Sequence, residues 1–454
     1  MKKILKKIFI IILVIVSLVA IALIFVSGVT SISKRFQDKN VDLLANYQKN
    51  IDFESVFSKE GEIQQVATKY SILYKNNNKR KMYVFSMPIR KYIDNNYIYV
   101  KPGIDKVNEY QYITNNIDYS ILYEDDYLRI SDEKNWFKLS FDEIYAWNFI
   151  ELSNNSMSLK GDSIQYINEN GNEIFVSPSY SGMVVNYKID ESVNQLVFPI
   201  EFSELKVNNQ DAGYVVLSEK NLGNISISDN ITNSVFVISR PIVSDMNGRK
   251  SLGGAIELIK KNKKYQLVCS VPEGTVNLSF TVNYYYENMF FDCTAYQREA
   301  NVNHVFGDYV VYDSETRMNL SNNYIKFDIR SFTPKKSQAL DRITLSVYVL
   351  DCKKDTEFEV YAVPNDWCAW ELTWNKQPNY QEKIGYFKLD GSGWYTLDLT
   401  EYIKSLIDEN YYNLINNSIM IKLKDGSTGY AIMASADNSI YPPYFEVDYT
   451  LSNQ

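Results

Sequence analysis

The sequence contains a single histidine, His304, in 454 residues. Because histidine is the usual general base of hydrolytic triads, a Ser-His-Asp or Cys-His site would depend on this one residue. Its surroundings, NVNHVFGDY, contain no nucleophile motif such as GxSxG, and we expect it to lie at the surface or in a turn. The chain also lacks a phosphate-binding loop, a dinucleotide fingerprint and an HExxH motif. We therefore predict that the protein is not an enzyme and uses no cofactor.

Cysteine is also scarce, with four residues and no CxxC pair. With one histidine available, this spacing argues against a zinc site, and no metal ligands are predicted. An even number of cysteines in an oxidising compartment permits two disulfide bonds. We favour a bond between Cys352 and Cys368, because both fall inside one predicted domain. Closing this loop of about 16 residues would stabilise the fold by about 3 kcal/mol. The alternative is four free, buried thiols.

Positive charge is not in excess. The chain has 47 Lys and Arg against 55 Asp and Glu, a net charge of -8 and a pI near 5.1. The chain therefore lacks the excess of basic residues that is typical of nucleic-acid-binding proteins, and no nucleic-acid partner is expected. Aromatic residues, in contrast, reach 14%, and 37 of them are tyrosines. Tyrosine suits strands that have one wet face, so this composition favours β structure.

The long hydrophobic run of the chain lies near its N-terminus. Ile8 to Val26 contains one polar residue, Ser17, and follows four lysines, Lys2, Lys3, Lys6 and Lys7. At about 1.5 Å per residue, this run approaches the roughly 30 Å hydrocarbon thickness of a bilayer, and the lysines favour a cytoplasmic N-terminus. We predict a cytoplasmic tip and a single-pass signal anchor in residues 1–30, a stalk in residues 31–60, and an extracellular remainder at the cell membrane. A cleaved signal peptide is the alternative.

The rest of the chain has the pattern of antiparallel β structure. In residues 61–290, short alternating runs such as KMYVFSM, YLRIS and GMVVNYK are separated by clusters of Asn and Asp. Residues 291–454 continue the pattern with NNYIKFDI and ITLSVYV. In the same region, apolar residues recur at helical spacing in the segment LTEYIKSLIDEN. The predicted fold class is all-β, with one or two β domains in residues 61–290 and one short helix in the C-terminal domain, residues 291–454.

The tryptophan segment, Asp366 to Pro378, reads DWCAWELTWNKQP and holds three of the six tryptophans. The order and spacing of this segment and its neighbours resemble those of the DNRLRE, or disaggregatase-related, domain, also described as carbohydrate-binding module family 96. The neighbouring segments are NYIKFDI, ITLSVYV, GWYTLDLTEYIKSLI, SIMIKLK and PPYFEVDY. The resemblance covers roughly residues 292–451 and implies a jelly-roll-like β-sandwich of bacterial surface and secreted proteins. More distantly, SRPIVSDMNGRKS and FTVNYYYENMFFD resemble the β region that precedes such domains in bacterial surface proteins.

The resemblance implies carbohydrate binding. Sugar rings present apolar CH faces and hydroxyl rims, which flat aromatic side chains flanked by amides can bind. Candidate ligand-binding residues are Trp367, Trp370, Asn375, Gln377 and Tyr380. We expect Trp374 and Trp394 to be buried packing residues instead. A structural Ca²⁺ ion held by loop carboxylates at Asp390, Asp425 or Asp437 is an alternative that no EF-hand spacing supports.

The predicted function is non-catalytic binding of a polysaccharide or cell-wall glycan by a membrane-anchored extracellular protein, through its C-terminal β-sandwich. A purely structural or protein-interaction component of the bacterial surface is the first alternative. The second is a polysaccharide-degrading enzyme with its active site in residues 60–285, which would require a cleft with paired carboxylates. Exposure of Trp367 and Trp370 distinguishes the binding protein from the structural component.

Overall fold

The structure, a computed structural model, describes residues 62–451 apart from several gaps. These gaps are 64–67, 94–95, 101, 116–118, 133, 142–144, 147–155, 168–172, 181, 190–192, 204–205, 208–209, 212–224, 229–233, 249, 253–255, 262–263, 285–289, 302, 305–308, 315–319, 328–332, 335, 337–338, 365, 368, 370, 411–416 and 439. The predicted anchor and stalk, residues 1–60, lie outside the described residues. Within the described residues, no helix is long and apolar enough to cross a membrane.

The described residues form 35 strands, all paired antiparallel, and one α-helix, α1, Thr400–Asn410, which confirms the all-β prediction. The first strands are β1 Glu62–Ile63, β2 Ser71–Asn76, β3 Lys79–Phe85, β4 Arg90–Ile93, β5 Asn96–Tyr99, β6 Gly103–Asn108, β7 Gln111–Asn115, β8 Ser120–Glu124, β9 Tyr127–Ser131, β10 Trp136–Ser140, β11 Tyr145–Ala146 and β12 Ser156–Lys160. The next are β13 Ser163–Ile167, β14 Glu173–Pro178, β15 Gly182–Lys188, β16 Gln195–Phe202, β17 Lys206–Val207, β18 Gln210–Asp211, β19 Ile225–Ser228, β20 Ser234–Ile238, β21 Ile242–Asp245, β22 Lys250–Leu252, β23 Ile256–Lys261, β24 Lys264–Ser270 and β25 Thr275–Tyr284. The last are β26 Phe290–Tyr296, β27 Tyr309–Asp313, β28 Ser321–Phe327, β29 Leu340–Cys352, β30 Glu357–Val363, β31 Lys383–Lys388, β32 Gly393–Asp398, β33 Asn417–Leu423, β34 Tyr430–Ala434 and β35 Tyr444–Thr450.

The middle region is built from two sheets that share one hydrophobic core. A nine-stranded sheet follows the order β23-β24-β16-β10-β9-β8-β7-β6, and β11 also pairs with β16. An eleven-stranded sheet follows the order β12-β13-β14-β15-β25-β20-β19-β17-β18, and it also includes β21 and β22. Aromatic rings from the two sheets contact each other, with Phe137 5.9 Å from Phe236 and Phe198 5.6 Å from Phe280. Alternating inward residues from both sheets therefore form a sandwich core.

The C-terminal third is a second sandwich. Its five-stranded sheet has the order β26-β28-β33-β30-β31, and it faces an eight-stranded sheet of order β1-β2-β3-β35-β29-β34-β27, in which β32 also pairs with β29. Phe327 and Phe445, from opposite sheets, lie 4.9 Å apart, as do Tyr312 and Phe358. Buried aliphatic residues such as Leu345 fill the space between the sheets. These contacts support the predicted β-sandwich.

The eight-stranded sheet includes strands from both ends of the described chain. Strand β3 pairs with β35 over seven residue pairs, from Lys79↔Thr450 to Phe85↔Tyr444. Val84 points into the core of the C-terminal sandwich, whereas Tyr83 and Phe85, on the other face of β3, belong to the core of the middle region. Strands β2 and β3, which we call the shared hairpin, therefore contribute to both cores, although the sequence pattern places them with the middle region.

Helix α1 packs beside β29 at the edge of the C-terminal sandwich, with Ile403 and Ile407 buried. Its start is fixed by Asp398, whose carboxylate accepts hydrogen bonds from the backbone N–H and the hydroxyl of Thr400 at 2.9 and 2.6 Å. The Thr400 hydroxyl also accepts a hydrogen bond from the backbone N–H of Ile343 at 3.0 Å. The helix predicted over LTEYIKSLIDEN is thus confirmed, and Asp398 supplies the capping carboxylate.

Asp292 is a carboxyl group on β26 that is fully buried inside the C-terminal sandwich. It accepts hydrogen bonds from the Asn323 side-chain amide at 2.9 Å and from the backbone N–H of Ala436 at 3.2 Å. Burial raises the pKa of Asp292 to about 6, despite the opposing effect of these hydrogen bonds. The folded protein therefore holds this proton more tightly than the unfolded chain does.

We expect this carboxyl group to make the protein less stable as the pH rises from about 4 to about 6. The stabilisation by the tightly held proton is complete below the ordinary pKa and is lost as Asp292 ionises. Asp292→Asn should remove this component, which is worth up to about 3 kcal/mol, and flatten the pH dependence of the free energy of unfolding in urea titrations. Asp390→Asn, at a side chain that is 76% exposed, is the control and should keep the wild-type slope. An unchanged slope in Asp292→Asn would assign the dependence to another group.

Candidate functional site

The outward face of the five-stranded sheet has two rows of side chains that cross its strands. Strand register places Tyr386, Glu359, Lys422 and Asn322 in the first row, on β31, β30, β33 and β28. The second row contains Tyr361, Met420, Tyr324 and Cys293, on β30, β33, β28 and β26. Directly paired residues project on the same side of a sheet, so both rows face away from the sandwich core.

The tryptophan segment covers Tyr324, Met420 and Cys293 of the second row. Trp367 is 8% exposed, and its indole Nε1–H donates a hydrogen bond to Ser418 Oγ at 3.0 Å. Its ring lies 5.7 Å from that of Tyr324, and the Lys326 ammonium lies 5.1 Å from the ring centroid. Leu372 and Trp374 pack into the same small core, which also contains Cys293. The prediction that Trp367 is an exposed ligand residue is wrong, because this indole holds the segment against the sheet.

Two other predicted ligand residues are occupied by contacts within the protein. The Gln377 Oε1 atom accepts hydrogen bonds from the Asn322 amide at 2.6 Å and from the Tyr324 hydroxyl at 2.9 Å. Asn375 is exposed, but its amide donates to Asn301 Oδ1 at 2.8 Å. Both side chains thus tie the tryptophan segment to its surroundings. Trp370, the other predicted aromatic residue, lies outside the described residues.

Among the described candidates, Tyr380 is the aromatic residue that stays open to solvent. We use the name tyrosine face for the surface formed by Tyr361, Tyr386, Glu359 and Lys422 of the sheet and by Tyr380 of the segment that precedes β31. Tyr386 is 75% exposed and Tyr380 is 47% exposed. The rings of Tyr380 and Tyr361 lie 4.6 Å apart, and the Lys422 ammonium is 5.6 Å from the Tyr380 ring centroid. This surface combines flat aromatic rings with hydrogen-bonding groups, as a sugar site requires.

Charges on the tyrosine face are balanced. Glu359 accepts hydrogen bonds from the Tyr361 hydroxyl at 2.8 Å and from the Lys383 ammonium at 3.2 Å, and Lys422 contacts Asp425 at 2.7 Å. Burial and the hydrogen bond to Glu359 raise the pKa of Tyr361 to about 12, so its hydroxyl remains a donor at neutral pH. The surface therefore offers donors and acceptors without a net excess of either charge.

Three residues of the tyrosine face, Tyr361, Tyr386 and Glu359, lie on β30 and β31 and were not predicted as ligand residues. Their assembly depends on strand register, which a single sequence does not display. One local signal is Gly385, which precedes Tyr386. A Cβ atom there would lie 2.6 Å from Leu397 Cδ1 of the other sheet, so glycine lets β31 pack closely and fixes the position of Tyr386.

The expected buried position of Trp394 is also wrong. Trp394 on β32 is 37% exposed, on the outward face of the eight-stranded sheet. Trp374 is half-buried against the small core beneath the tryptophan segment, which agrees better with its expected packing role. The indole of Trp394 is partly covered by the rings of Tyr348 and Tyr444, 5.3 and 5.1 Å away, and Tyr444 also packs against the core of the middle region.

The single histidine lies in a buried ion-pair cluster, so the expectation of a surface position is wrong. His304 Nε2 is 2.9 Å from Glu299 Oε2, and both side chains are 8% exposed. The guanidinium of Arg240, from the middle region, contacts both oxygens of the same carboxylate at 2.7 and 2.8 Å. Burial raises the pKa of Glu299, but His304 and Arg240 outweigh it and hold that pKa below its usual range. This cluster connects the middle region to the C-terminal sandwich.

The described cysteines are unbridged: Cys269 and Cys293 are buried thiols, and Cys352 is partly exposed. Because Cys368 lies outside the described residues, the bond between Cys352 and Cys368 stays a prediction that the structure does not support. Two of the carboxylates considered for Ca²⁺ are paired with lysines, Asp390 with Lys354 at 2.6 Å and Asp425 with Lys422 at 2.7 Å. Across the described residues, no group of three or more His, Cys, Asp or Glu could hold a metal ion.

Comparison with solved structures finds distant similarities. One is the GH31 alpha-xylosidase from Xanthomonas citri, with 9% identity, a TM-score of 0.11, and coverage of 76% of this chain but 38% of that chain. Another is a glycoside hydrolase family 43 arabinoxylan arabinofuranohydrolase from Bacillus subtilis in complex with cellotetraose, with 8% identity, 83% and 94% coverage and a TM-score of 0.18. A third is the N-terminal domain of the Streptococcus gordonii adhesin Sgo0707, with 9% identity, 86% and 94% coverage and a TM-score of 0.16. Scores this low support neither a shared fold nor a shared function.

Comparison with curated proteins finds no match. The family comparison gives a positive result for the part of the chain that carries the tryptophan segment and the tyrosine face. It agrees with the resemblance drawn from the strand patterns and the tryptophans. Residues 288–449, the C-terminal third of the chain, match the model of carbohydrate-binding module family 96.

Proposed function

We propose that the C-terminal sandwich binds a polysaccharide or cell-wall glycan without catalysis, and that the tyrosine face is its binding surface. The observation that carries this proposal is the exposure of Tyr386 and Tyr380 beside the polar groups of Glu359 and Lys422. Aromatic rings that lie open to solvent offer flat apolar surface to the CH face of a sugar. The family match of residues 288–449 gives independent support for a carbohydrate ligand.

The charge balance of the tyrosine face favours a neutral glycan. Lys383 and Lys422 each contact a carboxylate, so an anionic sugar would have to compete with Glu359 or Asp425 for them. Hydroxyl groups of a neutral sugar can instead hydrogen-bond to these side chains without separating either ion pair. The preference is modest, because exposed ion pairs of this kind contribute about 0 to 1 kcal/mol each.

We also propose that the chain is a single-pass membrane protein with its sandwich domains outside the cell. The nineteen-residue apolar run at Ile8 to Val26, preceded by lysines, supports this placement. An anchored binding domain would hold a glycan close to the cell surface. Fluorescent labelling of intact cells with an antibody to the C-terminal sandwich tests the location, and labelling that requires permeabilised cells would contradict it.

Replacing the exposed tyrosines should weaken glycan binding. In Tyr386→Ala and Tyr380→Ala variants of the full chain, we expect affinity for the bound polysaccharide to fall about tenfold or more, which corresponds to about 1.4 kcal/mol or more. Pull-down on insoluble cellulose, xylan, peptidoglycan and alginate, followed by titration on the polysaccharide that binds, measures the change. Stability should be unaffected in Tyr386→Ala, whose ring is 75% exposed, and should fall slightly in Tyr380→Ala, whose ring packs against Tyr361.

Tyr110→Ala is the matched control, because Tyr110 is 64% exposed in the turn between β6 and β7 of the middle region. It removes an exposed tyrosine outside the C-terminal sandwich and should leave binding unchanged. If Tyr110→Ala weakens binding as much as Tyr386→Ala does, the ligand surface extends beyond the tyrosine face. Wild-type protein that binds no glycan would favour the structural or protein-interaction alternative.

A further inference from the structure

The first row of the five-stranded sheet lies at the bottom of a shallow groove. Glu359 and Lys422, at the centre of the row, have side chains that are 13% and 14% exposed. Two positions away along the same strands, Glu357 and Lys424 contact each other at 2.5 Å and are more open to solvent, with the Lys424 side chain 50% exposed. Alternate residues of a strand project on the same side of a sheet. The first row is thus flanked on one side by exposed ion pairs.

The other side of the groove is formed by aromatic rings. Tyr361 lies two positions from Glu359 on β30, and the ring of Tyr380 packs against it with centroids 4.6 Å apart. Beside these rings, the tryptophan segment covers Tyr324 and Met420 of the second row. The first row is therefore lower than the surface on either side of it. We call the first row, with the ion pairs and rings that flank it, the cross-strand groove.

The cross-strand groove is open at one end and closed at the other. Strand β31 is the last of its sheet, and none of the described strands pairs with its outer side, so the groove opens to solvent at Tyr386, which is 75% exposed. At the other end, Asn322 on β28 donates to Gln377 of the tryptophan segment. The residue that pairs with Asn322 on β26, Ala295, is fully buried. The groove therefore crosses four strands.

The groove suits a straight ligand that runs perpendicular to the strands. Neighbouring strands lie about 4.8 Å apart, so its four side chains span about 14 Å, the length of about three to four sugar residues in an extended chain. Tyr386 offers apolar ring surface at the open end, and Glu359, Lys422 and Asn322 offer hydrogen-bonding groups along the floor. A ligand that ran along the strands would instead meet the exposed ion pairs of the flank.

We propose that the cross-strand groove binds an unbranched, neutral glycan in an extended conformation and holds about four of its sugar residues across the strands. This inference rests on the proposed carbohydrate-binding function and adds the length, shape and direction of the ligand. Sugar residues beyond this number leave the groove over Tyr386 and make no further contact. A branch on the bound stretch would meet the side chains that flank the groove.

Isothermal titration of the full chain with cellulose, xylan, chitin and alginate oligosaccharides of two to six residues tests the length. For one neutral series, we expect the tetrasaccharide to bind about tenfold more tightly than the disaccharide and the hexasaccharide to gain less than about twofold more. Equal affinity for all lengths, or a rise that continues through the hexasaccharide, would overturn the groove and leave the proposed function intact. Tight binding of the alginate series alone would overturn a neutral ligand.

A pair of variants tests the direction of the ligand. Asn322→Ala, at the closed end, should lower the affinity for the tetrasaccharide about tenfold and leave the disaccharide nearly unchanged, because a short ligand can bind nearer to Tyr386. Lys424→Ala, on the charged flank, is the matched control and should change neither affinity. A loss of tetrasaccharide binding in Lys424→Ala but not in Asn322→Ala would show that the ligand runs along the strands, and the proposed direction would be wrong.

A further variant guards against an effect on the tryptophan segment. Gln377→Ala breaks the hydrogen bond with Asn322 but leaves Asn322 in the groove, so it should keep the wild-type dependence on length. An equal loss in Gln377→Ala and Asn322→Ala would show that Asn322 acts through the tryptophan segment and would overturn the closed end of the groove. A protein that binds a polysaccharide but none of the oligosaccharides would overturn the groove, and absence of binding to both would overturn the proposed function.

Discussion

A fragment of residues 287–451 is expected to be unstable when it is produced without the shared hairpin, although it contains the whole family match. Strand β35 would lose its seven residue pairs with β3 and become an unpaired edge. Val84, which is 1% exposed, and Met82 would no longer cover the core of the sandwich. Loss of these two side chains alone removes about 2 to 5 kcal/mol, a large part of the roughly 5 to 15 kcal/mol that stabilises a typical domain.

Restoring the hairpin in a new position tests this expectation. Residues 68–86 can be joined after residue 451 by a flexible linker of about ten residues, which is long enough to span the roughly 20 Å length of a six-residue strand. We expect this fused fragment to unfold cooperatively. The fragment without the hairpin should aggregate or melt roughly 4 to 20 °C lower, as a loss of about 2 to 5 kcal/mol implies at about 2 to 4 °C per kcal/mol for a domain of this size.

The matched control is the same fusion carrying Val84→Asp. A carboxylate at this core position cannot be buried without a large cost, so the hairpin should not dock and the rescue should fail. Size-exclusion chromatography and thermal unfolding followed by circular dichroism give the comparison. If all three fragments melt together, the hairpin contributes little and the family match marks an independent domain.

The strand content of this protein was predictable because alternation of apolar and polar residues is a local property. NNYIKFDI and ITLSVYV give β28 and β29, and LTEYIKSLIDEN gives helix α1. Strand partners are not local. The pairing of β3 with β35 joins residues that are about 365 positions apart, as in the contact between Lys81 and Glu446. The sequence of neither strand indicates which strand it pairs with.

The candidate site shows the same limit. Trp367, Gln377 and Tyr380 are equally suitable for sugar binding by residue type, and the sequence cannot say which of them faces solvent. The deciding factor is the direction in which the tryptophan segment folds over the sheet, which buries Trp367 on Ser418 and leaves Tyr380 outside. A pattern that defines a fold is enriched in packing residues, so its most recognisable aromatic residues are poor indicators of a ligand surface.

Trp367→Ala is expected to destabilise the C-terminal sandwich by about 3 to 5 kcal/mol, the usual cost of truncating a buried tryptophan. The substitution leaves a cavity among Tyr324, Met420 and Leu372, and it leaves the Ser418 hydroxyl without its indole partner. The Lys326 ammonium, which donates to the Trp367 carbonyl oxygen at 2.6 Å and lies beside the ring, would also lose a contact. Glycan binding should weaken as a consequence of unfolding, in proportion to the fraction of folded protein.

Two further variants separate packing from ligand contact at this position. Trp367→Phe keeps much of the ring volume and removes the hydrogen bond to Ser418, so it should recover most of the stability and all of the binding. Tyr386→Ala should do the opposite, keeping the wild-type melting temperature while binding is lost. A Trp367→Ala protein that melts like the wild type but no longer binds glycan would show that Trp367 contacts the ligand. Both the free energy of unfolding in urea and the affinity for glycan therefore have to be measured on each variant. Loss of binding alone does not distinguish a core residue from a ligand residue.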